Sequence, residues 1–521
     1  MSLNLTQSLH KAAREHPGRL ATICGERRTS FGDLGARVAR LAGALAALGV
    51  VRGDRVAVLS PNTDRFLEIA YASWWIGAIL TPLNCRWSPE ELSFALNNCT
   101  AKLLLVDEPF GDVPSGLRGA VPALEQVVWM GDASRLPARA LAWEPWLTSG
   151  EAIADARVGG DSPAVLFYTG GTTGRSKGVL LSHAGLYTTT LASIVSADRV
   201  PGVVCLHALP MFHVGGLAVV LQAMLGQSTQ VMLPAFDPSI FLRLIASERV
   251  CEAALVPTMI RRVIDDPALR DHDLSSLQRL YYGASPIDGT LLEQTLERLP
   301  GVALTQFYGM TETSGIAVAL PDWCHGAESR ARGRHLGAGL PTPCVEVRVV
   351  RADGSDAAAN EVGEIWLGGP GSMLGYWNLP EQTAAVLTDG WVRTGDGGRI
   401  DDEGLLHIVD RIKDMIVTGG ENVYSTEVEN AVLSLDGVAA CAVIGVPDER
   451  WGERVHAIVV LQPGRRIDAE QVIAHCRSRM ASYKRPRSVE FRAELPISGA
   501  GKLLKYQLRE PYWRGRSRSV G

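Results

Sequence analysis

Tyr-Thr-Gly-Gly-Thr-Thr-Gly-Arg-Ser-Lys-Gly, residues 168–178, is the stretch on which the interpretation of the whole chain depends. The apolar run at 164–167 predicts a buried strand before it, and a second apolar run follows at 179–181. Glycines between the two runs let the backbone turn tightly and approach a ligand closely. Threonine hydroxyls and the Lys177 ammonium are groups that suit a polyphosphate. The stretch therefore predicts a phosphate-binding loop rather than an ordinary surface loop.

A second motif, Gln-Phe-Tyr-Gly-Met-Thr-Glu-Thr at 306–313, carries complementary chemistry. The Tyr308 ring can stack on a purine, and Gly309 keeps a path open beside it. Thr311 can donate a hydrogen bond to a phosphate oxygen. Glu312 can hold Mg²⁺, which needs only one or two carboxylates when phosphates supply the other ligands. The pair of motifs predicts a nucleotide site, although Lys177 does not stand where the P-loop of nucleotide triphosphatases has its lysine.

The loop resembles the phosphate loop of the adenylate-forming superfamily, which includes acyl-CoA synthetases, luciferases and peptide-synthetase adenylation domains. That family usually has Tyr-Thr-Ser-Gly-Thr-Thr-Gly-x-Pro-Lys-Gly, so Gly170 and Ser176 depart from the pattern. Losing a hydroxyl and a rigid residue should loosen the loop without abolishing phosphate binding. Further family motifs follow in order over essentially the whole chain. The resemblance is to the AMP-forming acyl-CoA and aryl-CoA synthetases.

The resemblance implies a binding site for ATP and AMP. Lys177 would hold the β- and γ-phosphates, while Thr311 and Lys502 would face the α-phosphate. Glu312, with Thr172, would hold Mg²⁺. The implied catalytic residues are Lys177, Thr311, Glu312 and Lys502. The implied nucleotide-binding residues are Thr169, Gly170, Gly171, Thr172, Thr173, Gly174, Lys177, Gly283, Ala284, Ser285, Pro286, Phe307, Tyr308, Gly309, Met310, Thr311, Asp396, Arg411 and Lys502.

The catalytic lysine and the ribose ligands rest on three further motifs. The resemblance places Asp396, after Trp391-Val392-Arg393-Thr394-Gly395, on the ribose hydroxyls, and Arg411 near the ribose and phosphates. Lys502 closes the segment 496–502, where Ile497 and Ser498 replace the usual Lys and Thr. These departures put the loop contacts in question but keep the catalytic charge.

The acyl pocket is implied by the segment Ala-Leu-Pro-Met-Phe-His-Val-Gly-Gly at 208–216. A histidine on an apolar face is most often a core residue, but here two glycines that leave room for a ligand follow it. The resemblance implies that Phe212 and His213 gate the acid, with Gly215, Gly216 and Gly309 beside them. A role for His213 as general base is disfavoured, because a carboxylate needs no deprotonation at pH 7.

The coenzyme A site and the hinge are also implied by the resemblance. Gly419 and Gly420 lie in a loop that resembles the pantetheine loop of acyl- and aryl-CoA ligases. Trp451, Arg485 and Arg487 match positions that contact the CoA nucleotide in some aryl-CoA ligases. Lys413 matches the hinge about which the small C-terminal domain rotates.

The implied mechanism has two half-reactions. The substrate carboxylate first attacks the α-phosphate of ATP, giving an acyl-adenylate and pyrophosphate, through positioning and charge neutralisation. Rotation at Lys413 then removes Lys502, and a thiol displaces AMP. The predicted activity is an acid–CoA ligase acting on a medium- or long-chain fatty acid or an aromatic acid, with ATP, Mg²⁺ and coenzyme A.

The expected fold is α/β. Apolar strands that alternate with helices predict doubly wound, mostly parallel sheets in a large N-terminal domain at 1–411. That domain is expected to include a small β-barrel-like subdomain. Residues 412–521 are expected to form a small mobile α+β domain. Residues 110–160 are expected to be an irregular connection. Capping boxes are expected at Ser88–Glu91 and at Thr426–Glu429.

Composition limits the other possibilities. The chain has 521 residues, 46% of them hydrophobic, and a net charge of −5 without a basic stripe, so no nucleic-acid partner is expected. Nine scattered cysteines without CxxC pairs favour free thiols in a reducing cytoplasm. The N-terminus does not resemble a signal peptide. The apolar region 66–83 is interrupted by polar residues and is expected to be a buried helix and turn rather than a transmembrane segment. A homodimer is the default expectation.

Four alternatives to a CoA ligase differ in what their sequences would contain. An adenylating enzyme that passes its product to a carrier protein or another acceptor shares the motifs, and the chain has no evident carrier segment. The motifs neither support nor oppose a light-emitting oxidase. A non-catalytic homologue would be expected to lose Lys177, Glu312, Asp396 or Lys502, which are all present. A serine hydrolase would need Gly-x-Ser-x-Gly, which is absent around Ser285.

Overall fold

A computed structural model describes residues 2–117, 119–169, 176–285, 287–477, 479–497 and 503–514. The described part of the chain contains sixteen α-helices connected by strands and short 3₁₀ turns. The helices are α1 Thr6–Glu15, α2 Phe31–Ala47, α3 Asp64–Trp75, α4 Pro89–Cys99, α5 Val113–Leu117, α6 Trp143–Ser149, α7 His183–Ser196, α8 Val214–Leu225, α9 Pro238–Glu248, α10 Pro257–Ile264, α11 Gly289–Arg298, α12 Ala327–Ala331, α13 Pro380–Val386, α14 Ser425–Leu433, α15 Ala469–Arg477 and α16 Lys505–Trp513.

The strands form four sheets. The strands are β1 Leu20–Cys24, β2 Arg27–Ser30, β3 Arg55–Leu59, β4 Ile79–Pro82, β5 Leu103–Val106, β6 Gln126–Trp129, β7 Leu141–Ala142, β8 Pro163–Thr169, β9 Lys177–Ser182, β10 Val204–His207, β11 Thr229–Met232, β12 Glu252–Leu255, β13 Arg279–Gly283, β14 Ala303–Tyr308, β15 Val318–Leu320, β16 Leu340–Pro341, β17 Glu346–Val350, β18 Gly363–Gly368, β19 Gly375–Tyr376, β20 Leu387–Thr388, β21 Trp391–Ile400, β22 Leu406–Arg411, β23 Ile416–Thr418, β24 Glu421–Val423, β25 Val438–Asp448, β26 Gly452–Leu461 and β27 Ser488–Phe491.

Two large sheets build the N-terminal part, as the sequence predicts. The nine-stranded sheet has the order β16-β15-β14-β13-β12-β10-β11-β1-β2 and is parallel from β14 to β1. The eight-stranded sheet has the order β19-β9-β8-β4-β3-β5-β6-β7 and is parallel from β8 to β7. Parallel strands need crossover helices, which cover both faces of a sheet. The predicted doubly wound, mostly parallel architecture is confirmed.

Helix α3 carries buried polar residues, and burial requires these residues to have hydrogen-bond or ion-pair partners. It begins at the Thr63 cap, whose hydroxyl accepts from the Phe66 N–H, and its polar residues are buried with the apolar ones. Glu68, which is 2% exposed, is held by Arg37 at 2.6 Å. Burial raises the pKa of Glu68, and the Arg37 guanidinium opposes that shift. The region predicted to be a buried helix and turn is therefore part of the core, and within the described residues no helix is long and apolar enough to span a bilayer.

Residues 110–160 are more ordered than predicted. Strand β6 extends the parallel core by pairing with β5, and helix α6 follows β7. Trp129 and Trp143 are almost fully buried, at 1% and 2% exposure. The Gly, Pro and Ala content of the segment does not predict these two short elements. They are fixed instead by tryptophans that pack into the core.

A smaller antiparallel sheet stands where the β-barrel-like subdomain is expected. Its order is β17-β18-β21-β20, with β22 paired to β21. Its buried residues, including Ile365 and Leu367, form their own cluster with Val318 of the nine-stranded sheet. This cluster fixes β21, which carries Asp396, against the edge of the large sheet.

The C-terminal part is an α+β unit built on the sheet β24-β23-β26-β25, with β27 paired to β26. Val428 and Val432 of α14 are buried on this sheet, as the helical spacing predicts. The expected capping box at Thr426 and Glu429 is wrong, because the N-cap residue is Tyr424 and α14 begins at Ser425, two residues earlier than a Thr426 cap requires.

The first turn of α14 is fixed by Asp410, near the end of β22. Its carboxylate accepts hydrogen bonds from the backbone N–H and the hydroxyl of Ser425, both at 2.5 Å. Lys505 donates to the same hydroxyl at 2.5 Å and pairs with Glu429 at 2.7 Å. Asp414 pairs with Arg509 at 2.5 Å. We call these five contacts the Asp410 network. It connects the end of the N-terminal part to the first and last helices of the C-terminal part.

Candidate active site

The phosphate loop is bracketed by two antiparallel strands. β8 ends at Thr169 and β9 begins at Lys177, and these two residues are paired across the ladder. The intervening residues 170–175 lie outside the described part of the chain, as do Pro286 and Lys502. The roles given to Gly170, Gly171, Thr172, Thr173, Gly174, Pro286 and Lys502 therefore stay predictions.

Lys177 and Glu312 converge on one tyrosine. The Tyr376 hydroxyl donates to Glu312 Oε1 at 2.7 Å. The Lys177 ammonium lies 5.0 Å from the centre of the Tyr376 ring, within the range of a cation–π contact. Strand β19, which carries Tyr376, pairs with β9, which carries Lys177. Burial and the Glu312 carboxylate raise the pKa of Tyr376, so its hydroxyl remains a hydrogen-bond donor.

Tyr308, Asp396 and Arg411 form the second group. The Tyr308 hydroxyl donates to Asp396 Oδ2 at 2.8 Å, and Arg411 Nε lies 3.3 Å from Asp396 Oδ1. The β21–β22 ladder places Asp396 directly opposite Arg411. Burial and the neighbouring Asp396 raise the pKa of Tyr308 well above its ordinary value. The three residues that the sequence predicts near the base and ribose are thus brought together.

The turns after β13 and β14 need close backbone approach. A Cβ on Gly283 would lie 2.2 Å from the Phe307 carbonyl oxygen, and one on Gly309 would lie 1.9 Å from that of Gly315. Ala284 follows with a φ of 65°, a left-handed conformation that side chains disfavour. Ser285, Met310 and Thr311 lie in these turns. The turns are built so that two strand ends meet closely, as a nucleotide pocket requires.

The predicted acyl residues stand at the start of α8. His213 precedes the helix as its N-cap residue, and its ring lies 4.7 Å from that of Phe212. Gly216 packs against the Pro210 carbonyl, where a Cβ would approach to 2.1 Å, whereas a Cβ on Gly215 would meet nothing within 4 Å. A Cβ on Gly315 would contact Ala218 at 3.7 Å. Gly309 and Gly315 therefore adjoin the first turns of α8.

Four of the five predicted CoA residues are brought together. Gly419 has a φ of 61° and its N–H donates to the Trp451 carbonyl at 2.8 Å. The Arg487 guanidinium lies 5.6 Å from the centre of the Trp451 ring. Gly420, with a φ of 85°, has open space where a Cβ would stand. Arg485 has another role, because it donates to the carbonyls of Met480 and Arg477 at the end of α15.

Sequence reasoning missed two members of these groups. Arg450 lies 4.7 Å from the centre of the Trp451 ring, so that the indole has two guanidinium neighbours. The second is Tyr376, whose hydroxyl donates to the Glu312 carboxylate. The signal for Arg450 was its place beside Trp451, and nothing in the pattern around Tyr376 indicates its hydrogen bond to Glu312.

Lys413 lies in a 3₁₀ turn, Ile412–Asp414, directly after β22. Burial and the charge of Arg411 lower the pKa of Lys413 to about 8, and Asp414 and Asp396 oppose the shift. The predicted hinge thus adjoins the group that contains Asp396 and Arg411.

Comparisons with known proteins agree with the arrangement of the motifs. The family model described as AMP-binding enzyme matches residues 9–377, and the one described as AMP-binding enzyme C-terminal domain matches residues 427–502. The chain is 39% identical to a feruloyl-CoA synthase of Amycolatopsis sp, covering 96% of this chain and 98% of the relative. It is 36% identical to the fatty acid–[acyl-carrier-protein] ligase ScoC of Streptomyces coeruleorubidus, covering 99% and 97%.

A solved structure supports the fold over the full length. The crystal structure of ATP-bound MatB from Rhodopseudomonas palustris superposes with a TM-score of 0.88 at 31% identity and covers 98% of this chain and 99% of that one. The predicted superfamily, fold class and AMP-forming acid–thiol ligase activity are confirmed. The chain belongs to the AMP-binding enzyme family.

Proposed function

We propose that the protein activates a fatty or aromatic carboxylic acid with ATP and transfers the acyl group from the adenylate to coenzyme A. The observation that carries the proposal is the convergence of Lys177 and Glu312 on Tyr376, a cation at its ring and an anion at its hydroxyl, beside the start of β9. Opposed charges at one end of the site suit a polyphosphate with its counter-ion. Tyr308, Asp396 and Arg411 supply the groups for the base and ribose.

The proposed roles follow the chemistry of each group. Lys177 and the loop bind the β- and γ-phosphates, Thr311 donates to the α-phosphate, and Lys502 neutralises the charge that develops there. Asp396 binds the ribose hydroxyls, beside Arg411. Phe212, His213, Gly215, Gly216 and Gly309 form the entrance for the acid. These roles, and that of Lys413 as the hinge between domains at 1–411 and 412–521, are proposals.

Glu312 fits Mg²⁺ because it is a hard oxygen donor held in place by Tyr376, and one carboxylate is enough where phosphates supply other ligands. When bound, the ion would neutralise phosphate charge. Within the described residues no group of three His, Cys, Asp or Glu side chains could hold a metal without such help. Thr172 is proposed as its neighbour in the loop.

Coenzyme A as acceptor is favoured by the surroundings of Trp451. An indole flanked by Arg450 and Arg487 offers a stacking face and two cations, which suit a nucleotide carrying phosphates. Gly419 lets the backbone pack closely on the indole, since a Cβ there would lie 2.7 Å from the Trp451 ring, and Gly420 leaves open space beside it. A carrier protein is the alternative acceptor, which the similarity to ScoC keeps in view.

The test is pyrophosphate release with acetate, octanoate, palmitate, benzoate and cinnamate, with and without CoA. A CoA-dependent signal for one group of acids is expected. Adenylate that accumulates and ignores CoA would overturn the choice of acceptor, and adding a phosphopantetheinylated carrier protein would then test the alternative. Silence with every acid and every acceptor would contradict the proposal.

We also propose a cytoplasmic homodimer. All nine cysteines are free thiols, which suits a reducing compartment. Cell fractionation and light scattering on the purified chain test location and subunit number.

A further inference from the structure

The strand that carries Asp396 bulges away from its neighbour at that residue. Where β18 and β21 pair, the register shifts, so that Ile365 of β18 lies opposite three residues of β21, 394–396. We call residues 394–396 the Asp396 bulge. Extra residues in one strand of a ladder leave backbone groups unpaired, and bulges beside active sites re-aim a side chain. The Asp396 bulge therefore needs hydrogen-bond partners from outside the ladder.

Glu364, on β18, supplies the first of these partners. Its Oε1 accepts a hydrogen bond from the backbone N–H of Gly395 at 3.2 Å. Gly395 has a φ of 69°, a left-handed conformation that glycine adopts at little cost. The N–H that this hydrogen bond fixes stands one residue before Asp396. The direction in which the Asp396 side chain leaves the strand therefore depends on the Glu364 carboxylate.

The other oxygen of Glu364 anchors the carboxylate. Oε2 accepts from Trp366 Nε1 at 2.9 Å, and from Arg393 Nε and Nη2 at 3.2 and 3.0 Å. The Arg393 guanidinium also lies 5.4 Å from the centre of the Trp366 ring, and the Glu364 side chain is 15% exposed. Charge-assisted hydrogen bonds of this kind are strong and fix geometry. Glu364 is thus a rigid acceptor rather than a mobile surface group.

Thr394 supplies the second partner. Its hydroxyl donates to the Ile365 carbonyl at 2.7 Å and accepts from the Asp396 N–H at 3.0 Å. The hydroxyl therefore connects the single facing residue of β18 to the residue that carries the carboxylate. Glu364 and Thr394 together satisfy the N–H groups of Gly395 and Asp396, the two that come immediately before the Asp396 side chain.

The Asp396 carboxylate has room for further donors. The Tyr308 hydroxyl donates to Oδ2 at 2.8 Å, and Arg411 Nε lies 3.3 Å from Oδ1. An ionised carboxylate offers about four lone-pair positions, so each oxygen keeps one for another donor. The ribose hydroxyls that are proposed as ligands of Asp396 are such donors. Because hydrogen bonds weaken steeply when misaligned, their strength depends on how the Asp396 bulge holds the carboxylate.

We propose that Glu364 is a positioning residue for nucleotide selection. With Thr394 it fixes the Asp396 bulge, so that the Asp396 carboxylate accepts from the ribose hydroxyls and the enzyme distinguishes adenosine from deoxyadenosine nucleotides. The inference rests on the proposed role of Asp396. Glu364 acts through the backbone of the bulge, and its removal should weaken the contact to the ribose hydroxyls while the contacts to the base and phosphate persist.

The test measures Kd for AMP, 2′-deoxy-AMP and 3′-deoxy-AMP on the full chain by isothermal titration calorimetry. AMP is expected to bind the wild-type chain at least about tenfold more tightly than the weaker of the two deoxy nucleotides, because a hydroxyl bound to a carboxylate forms a charge-assisted hydrogen bond. A wild-type chain that binds all three nucleotides equally overturns the inference.

Glu364→Gln keeps the shape of the side chain but leaves one acceptor oxygen, which cannot serve both Gly395 and the Trp366–Arg393 pair. The ratio of the two Kd values is expected to fall at least about threefold, through weaker binding of AMP alone. A purely structural role would weaken all three nucleotides alike and leave the ratio unchanged. An unchanged ratio in folded Glu364→Gln therefore overturns the inference.

Glu361→Gln is the matched control. Glu361 also pairs with an arginine and accepts a backbone N–H, from Arg351 Nε at 2.7 Å and from Ala358 at 3.0 Å, but it stands before β18, outside the Asp396 bulge. The Kd ratio should keep its wild-type value in this variant. If Glu364→Gln does not fold, Thr394→Val decides in its place, since it removes only the hydroxyl that binds the Asp396 N–H.

The binding assay separates this inference from the proposed function, because it needs neither acid nor CoA. Equal binding of the three nucleotides by a chain that still forms an acyl-CoA rejects the inference alone. Failure of every acid to release pyrophosphate rejects the proposed function, and the Kd ratios of the wild-type chain and Glu364→Gln then decide the inference by themselves.

Discussion

Tyr376→Phe tests whether the hydrogen bond to Glu312 positions the carboxylate for Mg²⁺. The substitution deletes one oxygen, which donates to Glu312 Oε1 at 2.7 Å. The ring remains, so the contact with the Lys177 ammonium at 5.0 Å is retained. Glu312 is only 8% exposed, so water replaces the lost donor poorly.

The expected size follows from the charge of the acceptor. A hydrogen bond to a charged group contributes about 1.5–3 kcal/mol. If that energy goes into holding the carboxylate in its metal-binding orientation, the Mg²⁺ concentration for half-maximal rate should rise roughly tenfold to a hundredfold, the range found for outer-shell partners of metal ligands.

The assay is adenylate formation, followed as pyrophosphate release, over a Mg²⁺ titration at saturating acid. Trp377→Phe is a matched control on the neighbouring residue, because its indole N–H donates to the Asn98 carbonyl, away from Glu312. In a Glu312→Gln background, Tyr376→Phe should add little. An unchanged Mg²⁺ dependence in a folded Tyr376→Phe protein would refute the positioning role.

Three further outcomes are expected. Lys502→Ala should slow adenylate formation by roughly two orders of magnitude and leave thioester formation from preformed adenylate nearly unchanged; equal damage to both half-reactions would contradict the rotating-domain mechanism. Trp451→Ala should raise KM for CoA about tenfold while pyrophosphate release without CoA stays constant, and an unaltered KM would remove Trp451 from the CoA site. Burial lowers the pKa of His183 to about 4, so the unfolded chain binds a proton there that the native chain excludes between about pH 6.5 and 4. The free energy of unfolding therefore falls by about 3 kcal/mol in total as the pH falls through that window. His183→Gln should flatten the pH dependence of the urea midpoint. The same pH dependence in the variant and the wild-type chain would show that the pKa of His183 is not lowered in this way.

The sequence predicted the parts of the fold that follow from strong local patterns. Ser88, Pro89 and Glu91 form the expected capping box, and the apolar run at 103–106 is the expected strand. The prediction of an irregular connection at 110–160 was wrong, because the strand and helix there are fixed by tryptophans that pack into the core far away in the sequence. The start of α14 was misjudged because Asp410, fifteen residues earlier, supplies the partner that the local pattern assigned to Thr426 and Glu429.

The candidate active site was also predicted only where its residues lie in local motifs. Motifs identified Lys177, Glu312, Asp396 and Arg411, since each lies in a contiguous signature. No spacing rule connects Tyr376 to Glu312, because Glu312 lies in the turn after β14 and Tyr376 lies on β19, 64 residues later in the sequence.

The Asp410 network has a kinetic consequence. Asp410 lies before the proposed hinge and Ser425 after it, so the proposed rotation at Lys413 would pull the Ser425 N–H and hydroxyl away from the carboxylate that binds them. Under this proposal both hydrogen bonds would have to open before the domain reorients, and water would then have to solvate a carboxylate that is buried in this arrangement. The waiting time between the two half-reactions would then depend on a contact remote from every reacting atom, and the intermediate's lifetime would be set by how fast that contact opens.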